Sequence, residues 1–402
     1  MDNQLANTPV FNRIKKEECC GCEGCANICP AVCIKMKADM EGFFFPSADL
    51  GKCIHCGRCE RVCPVLHFKE QENLKNAYAG YSKSEDIVKA SASGGMFSVC
   101  VEAFNEISTG KKAICGVAWD DDYKGCHHEI LMDERDVARL MSSKYVQSRK
   151  NNIYKEIKQL LSKDVAVLFS GTPCEVAGLY TFLGKEYPNL YTIDIVCQGP
   201  SSPRAMKEYI GQLERRKHKK VSQVNMRYVH RTPWIPQWLR IDYEDGTKDI
   251  KVFYETEIGR AVHIMQRKSC YQCRFNGNGH YADVTIGDYH GADPEKEYYN
   301  PYGTSILVVN TLKGKRLFES ISKDEINIFP ADYDRIAKTN PRLKESWPPH
   351  LIRGQFSEWM QQKGLFIAAR NSWSLRQRIR KEIPYGLRMV VRNLKSKING
   401  GV

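Results

Sequence analysis

No apolar run in this chain approaches the roughly 20 residues that a membrane-spanning helix requires, so a transmembrane helix is not expected. The opening stretch, MDNQLANTPVFNRIKKEE, lacks the apolar core of a secretory leader, which makes the cytoplasm the expected compartment. There is no low-complexity tract, and no internal repeat other than one cysteine pattern. Acidic residues are scarce near the C-terminus. Between Arg370 and Val402 a single acid, Glu382, stands against nine Lys and Arg, which supplies +8 of the net charge of +13. A second basic run, ERRKHKK, covers 214–220. The positive charge is therefore local. No RNA- or DNA-binding motif surrounds the tail, so nucleic acid is not an expected partner.

Cysteine is the residue present in excess. The 402 residues include 17 cysteines, and a reducing compartment makes metal ligation or redox chemistry a better reading than disulfides. Ten of them fall within the first 66 residues. Cys19, Cys22, Cys25 and Cys29, followed by Pro30, repeat the spacing of Cys53, Cys56, Cys59 and Cys63, followed by Pro64. This is the run of a two-cluster bacterial ferredoxin, in which three closely spaced thiolates hold one 4Fe-4S cube and the fourth ligates the other. The expected sets are Cys19, Cys22, Cys25 and Cys63 on one cluster, and Cys29, Cys53, Cys56 and Cys59 on the other. A pair of zinc sites needs neither the third cysteine nor the Cys-Pro. Cys20 and Cys33 fall outside the pattern and read as small buried or partly exposed thiols.

After a polar linker at 67–76, short apolar runs alternate with helical stretches. Strands are expected at 77–82, 112–119, 165–170, 191–197, 282–288 and 305–311, with helices at 151–162, 174–183 and 203–217. Such alternation argues for an α/β domain with a mostly parallel or mixed sheet. Residues 224–253 interrupt it with two strands and a hairpin signal at Asp245-Gly246. The expected division is a ferredoxin-like domain at 1–66, an α/β domain at 77–345 and a basic helical tail at 346–402.

Cys174 and Cys197 each stand where an apolar strand ends, the edge at which open α/β sheets bind ligands. Cys270 and Cys273 supply a further Cys-x-x-Cys. A third 4Fe-4S cluster on these four residues is the economical reading; a structural zinc on the same four, or buried unligated thiols, are the alternatives. Cys100, Cys115 and Cys126 show no ligand spacing. Ser93-Gly94-Gly95 precede an apolar helix, where free amides and glycine suit an anion or, more simply, a cap in a tight turn.

In chain order, the ferredoxin run, SASGGMFS, SSKYVQS (142–148), FSGTPCEVAGL (169–179), DIVCQGPSSP (194–203), CYQCRF (270–275) and ADVTIGDYHG (282–291) resemble the coenzyme F420 (deazaflavin) hydrogenase and dehydrogenase beta subunits. The plant hydroxymethyl-chlorophyll reductase is similar too. The resemblance covers about 15–325. It implies FAD in the α/β domain, a 4Fe-4S cluster held at Cys174, Cys197, Cys270 and Cys273, and a ferredoxin module feeding both. Carried over by motif position, Ser93, Gly94, Gly95, Ser143, Lys144, Tyr145, Gln147 and Thr172 are flavin-contact candidates.

The expected function is an oxidoreductase that relays electrons between a ferredoxin-type carrier or partner subunit and a substrate or deazaflavin-like coenzyme. Some bacterial relatives are associated with surface-polysaccharide biosynthesis. The competing readings are a non-catalytic electron-transfer subunit and a zinc-stabilised nucleic-acid binder. Trp234, Trp238, His230 and Arg231 read as a substrate wall or as a hairpin covering the sheet. His55, His280 and His290 are proton-donor candidates, though packed or solvated histidines are the commoner case. Asp283 and Asp288 are expected to hold the loop after Cys273. The tail reads as two basic amphipathic helices broken at Pro384-Tyr385-Gly386, suited to an anionic membrane surface or an acidic partner, or simply solvated.

Overall fold

The computed structural model describes residues 8–383 and 385–389. The chain is an α/β protein. Its strands are β1 (Ile34–Ala38), β2 (Phe44–Ala48), β3 (Asn76–Ser82), β4 (Lys112–Trp119), β5 (Cys126–Leu131), β6 (Ala166–Gly171), β7 (Leu190–Ile195), β8 (Val221–Tyr228), β9 (Trp238–Tyr243), β10 (Lys248–Val252), β11 (Val284–Asp288), β12 (Ser305–Val309) and β13 (Ile326–Ala331).

The main sheet has the order β13-β3-β12-β11-β7-β6-β4-β5. Its centre, β11-β7-β6-β4, is parallel, and antiparallel strands flank it on both sides. The parallel strands are continuous apolar runs because helices cover both faces. On one face Ile114, Leu168, Ile193 and Ile286 pack against Val99, Cys100 and Phe104 of helix Met96–Ile107. On the other, Ala113, Cys115, Val167 and Phe169 pack against helices Ile153–Ser162 and Pro173–Leu183. Cys100 and Cys115 are thus core residues.

The 224–253 interruption forms a separate antiparallel sheet, β10-β9-β8, whose β9–β10 hairpin turns at Asp245-Gly246. Trp234 and Trp238 are buried behind it, Trp234 stacked on His290 and Trp238 edge-on to His230. Neither tryptophan lines the cavity described below, so they form no part of its wall. The same core takes in Phe356, Met360, Leu365, Ala368 and Trp373 from the C-terminal helices. The segment from 346 to 373 is therefore part of the folded body. Positions 384 and 390–402 of the basic tail lie outside the described residues.

The N-terminal cysteines surround two short helices, Gly24–Ile28 and Arg58–Arg61, beside the β1–β2 hairpin. Each helix starts after a residue at positive φ, Glu23 at 65° and Gly57 at 67°. This module is clamped to the body. Gln147 exchanges hydrogen bonds with the backbone of Phe44. Arg353 makes a bidentate pair with Glu41. The fully buried Arg267 donates to the carbonyls of Cys19 and Phe44 and lies 3.8 Å over the Phe45 ring.

Candidate functional site

A cavity of about 990 Å³ opens where β4, β6, β7 and β11 end. This is at the upper end of ordinary ligand pockets, and it occupies the edge where parallel sheets present loops and helix N-termini. Its lining includes the strand ends Gly171, Val196 and Gly287.

Four cysteines converge on it. Because β6 and β7 are adjacent and parallel, Cys174 and Cys197 emerge side by side from their ends. Cys174 opens helix Pro173–Leu183, whose Thr172 cap and Glu175 form a capping box. Cys270 and Cys273 reach the same space from the turn Lys268–Gln272. Cys270 seats against Gly199, where a β-carbon would lie 2.8 Å from its Cβ. The amide of Gly199, free to adopt φ 95°, donates to Cys197 Sγ at 3.3 Å. Burial raises the Cys197, Cys270 and Cys273 thiols above their ordinary value, Cys273 to about 12. A hydrogen bond that the Cys174 thiol donates to Cys20, then burial, does the same for Cys174. Such thiols become thiolates only when a metal supplies compensating charge. Among the described residues no group of three His, Cys, Asp or Glu is placed to hold a single metal ion; the four cysteines line one cavity.

The N-terminal thiols form two neighbourhoods. Cys22 and Cys25 share the electrostatic surroundings of Cys63, and Cys25 and Cys63 those of Cys19. Cys59 lies near Cys53 and also near Cys25 and Cys63, where the two neighbourhoods meet. Cys33, which the spacing left out, sits 3.4 Å from Cys29 Sγ and also adjoins Cys53. The first neighbourhood faces inward: a β-carbon on Gly178 would stand 2.7 Å from Cys22 Cβ. Cys20 continues that contact, since its thiol bonds to Cys174 and lines the cavity. In the second neighbourhood Cys56 is exposed.

The flavin-contact candidates separate in space. Ser93, Gly95, Ser143, Lys144, Tyr145, Gln147 and Thr172 line the cavity, whereas Gly94 does not. Gly94 is pressed on the sheet, with no room for a β-carbon beside the Gly80 carbonyl, and its amide donates to Ser305 Oγ. Gly95, at φ 87°, is the N-cap of helix Met96–Ile107 and presents that helix's free amides. Ser93 Oγ donates to the Thr304 carbonyl. Lys144 is a half-buried cation whose Nζ donates to the carbonyl of Met141, and loss of hydration lowers its ammonium to about 8. Thr172 Oγ1 is 3.3 Å from Cys174 Sγ.

Two buried ion pairs were not legible from spacing. Arg227 Nη1 pairs with Asp288 at 2.6 Å, donates to Tyr145 Oη at 2.8 Å and lies over Trp234. Asp288 therefore holds the cavity wall, and Asp283 bridges strands by accepting from Thr192 and Thr311; neither holds the loop after Cys273. Lys150 pairs with Glu175, which Ser148 also contacts, beneath the stacked rings of His128 and Phe169. Burial opposes the Glu175 charge, but Lys150 outweighs it and holds the carboxyl near about 2. His280 is buried against Asp194 away from the cavity, and His55 is exposed.

Residues 164–332 match the family profile for the C terminus of the coenzyme F420 hydrogenase/dehydrogenase beta subunit, and residues 45–68 match the profile of a 4Fe-4S binding domain. The chain is an iron–sulfur electron-transfer protein related to the F420 hydrogenase beta subunit. A solved chain of the F420-reducing NiFe hydrogenase complex from Methanosarcina barkeri, a xenon derivative, aligns over 68% of this chain and 91% of that one, at 14% identity and a TM-score of 0.46. The search of curated proteins found no match. The first cysteine run and the flavin-contact candidates at 93–147 lie outside both matched segments. No helix among the described residues is long and apolar enough to cross a membrane.

Proposed function

We propose that the chain is an iron–sulfur flavoprotein oxidoreductase, passing electrons between a ferredoxin-like carrier or partner subunit and a small substrate or deazaflavin-like coenzyme in the cavity. The observation that carries this reading is the convergence of Cys174, Cys197, Cys270 and Cys273 on the same cavity as the helix N-terminus at Gly95 and the half-buried cation Lys144. When bound, two N-terminal 4Fe-4S clusters, a third on these four cysteines and FAD supply one-electron carriage and its conversion to two-electron transfer.

The residues arrange the rest. Cys56 is the solvent-facing end. Cys22, packed on Gly178, and Cys20, bonded to Cys174, bring the inner N-terminal set against the four cavity cysteines. The amides of helix Met96–Ile107 and Lys144 suit a pyrophosphate or the electron-rich edge of a reduced flavin. Arg227 and Asp288 fix the wall beside Tyr145 and Ala92. The amide of Gly199, by donating to Cys197, favours its thiolate and tunes the potential. Surface-polysaccharide metabolism, with which some bacterial relatives are associated, is the setting proposed.

Anaerobic purification followed by iron, sulfide and flavin quantification tests the reading. It predicts a flavin spectrum and about twelve irons per chain, as three 4Fe-4S clusters require, with bleaching on titration by a reduced ferredoxin. Iron and sulfide without flavin would refute the flavoprotein assignment. Turnover only after adding a partner dehydrogenase would instead favour the non-catalytic reading.

A further inference from the structure

Helices at the edge of a folded body ordinarily turn their apolar side inward and their charges to water. Helix Leu375–Glu382 does the reverse. Its basic side holds it down: Lys381 pairs with Glu257 at 3.3 Å and lies 3.7 Å over the Trp373 ring. Just beyond it, Arg388 makes a bidentate pair with Glu255 at 2.6 and 2.8 Å. With those contacts made, Leu375, Ile379, Ile383 and Leu387 stay out in solvent, exposed by 73%, 57%, 42% and 59%. They recur every fourth residue. At about 100° per residue this spacing keeps Leu375 and Ile379 on one narrow face of the helix, and Ile383 follows at its extended C-cap.

Two features select the occupant of this face. First, Arg376 and Arg380 are exposed along one border of the stripe, Arg380 also lying 4.0 Å from Glu255. The chain continues with Arg392, Lys395 and Lys397 and no further acid. Secondly, the pinned orientation fixes the stripe as a shallow apolar ridge flanked by cations, the pattern of a helix that lies in a lipid interface with its apolar side in the acyl boundary and its basic residues at the headgroups. Glu255 and Glu257 are engaged on the body side, and Glu382 is the one acid of the helix itself, exposed at its C-terminal end. We infer that Leu375, Ile379, Ile383 and Leu387 form a peripheral docking stripe for an anionic phospholipid surface. The redox body would then be held beside a membrane without crossing it. This assignment is independent of the cavity's cofactors.

The test is co-sedimentation of the full chain with two vesicle types, phosphatidylcholine alone and an equal mixture of phosphatidylcholine and phosphatidylglycerol. Wild type is expected to sediment with the mixed vesicles, less as salt is raised, and to stay in solution with the neutral ones. L375S/I379D removes two exposed apolar contacts and is expected to weaken that binding by about ten-fold or more. R376E should weaken it less and flatten its salt dependence. Because all three positions are exposed, iron content and thermal midpoint serve as controls that the fold is intact. Equal sedimentation of wild type and L375S/I379D would overturn the inference, as would no binding of wild type to mixed vesicles. So would a concentration-dependent dimer that L375S/I379D abolishes, since a second copy would then be the occupant.

Discussion

The two N-terminal cysteine runs share one spacing and occupy opposite environments. The first, Cys19 to Cys29, starts its helix after Glu23, is pressed on Gly178 and reaches Cys174 through Cys20. The second, Cys53 to Cys63, starts its helix after Gly57, which has no atom within 4 Å of where its β-carbon would be, and leaves Cys56 in solvent. An identical spacing thus occupies two positions, one against the body and one facing solvent. What distinguishes them is the packing around each run, and that packing comes from residues more than a hundred positions away.

The sharpest way to break the comparison is to disturb what lies behind the first run only. Lys150 is buried between Glu175 and Glu23 and adjoins Cys174. Lys150→Met leaves Glu175 as a buried unpaired charge and is expected to cost about 3–5 kcal/mol, read as a loss of thermal midpoint; pairing it with Glu175→Gln should restore most of it. An unchanged midpoint in the single variant would show that the pair is not buried in solution.

A milder contrast uses the glycines. Gly178→Ala places a methyl 2.7 Å from Cys22 Cβ and 3.0 Å from its Sγ, an overpacking expected to cost about 1–3 kcal/mol and to perturb the electron paramagnetic resonance signal of one reduced N-terminal cluster. Gly57→Ala meets only the cost of positive φ in open space, about 1 kcal/mol, and should leave both signals in place. Equal spectral effects from the two variants would erase the distinction between inner and outer runs.

The smallest effect lies outside both runs. Burial works against a charged His280, but Asp194 at 2.8 Å outweighs it and raises the imidazole above its ordinary 6.5. A raised value means that this pair stabilises the fold fully below pH about 6.5 and loses that contribution as pH rises through the folded-state value. The unfolding free energy of wild type should therefore fall over that window, and the fall should be shallower in His280→Gln. Identical slopes would dismiss the pair as a titrating element.

How much was legible follows from the same physics. Strand positions in the parallel centre declare themselves as apolar runs, and the helix at 203–217 by its Ser202 cap and following proline. The ends at Cys174 and Cys197 follow directly. Strands β5 and β13 were missed because antiparallel edge strands carry polar residues such as His127, Glu129 and Asn327. The body's use of 353–373 was hidden under a basic composition, although Phe356, Met360 and Leu365 are core residues. The buried charges Lys150, Arg227 and Arg267 were illegible for a general reason: a charged side chain reads as solvated until the partner that permits its burial is known. Gly94 was assigned to a ligand when its absent β-carbon is required by the Gly80 carbonyl.

The most direct test of the central claim is iron and sulfide content of C270S/C273S beside wild type, both purified without oxygen. The account predicts a loss of about four irons per chain, the content of one 4Fe-4S cluster, with the two N-terminal cluster signals intact. Equal iron in the two proteins, or stoichiometric zinc in a colourless wild type, would contradict it.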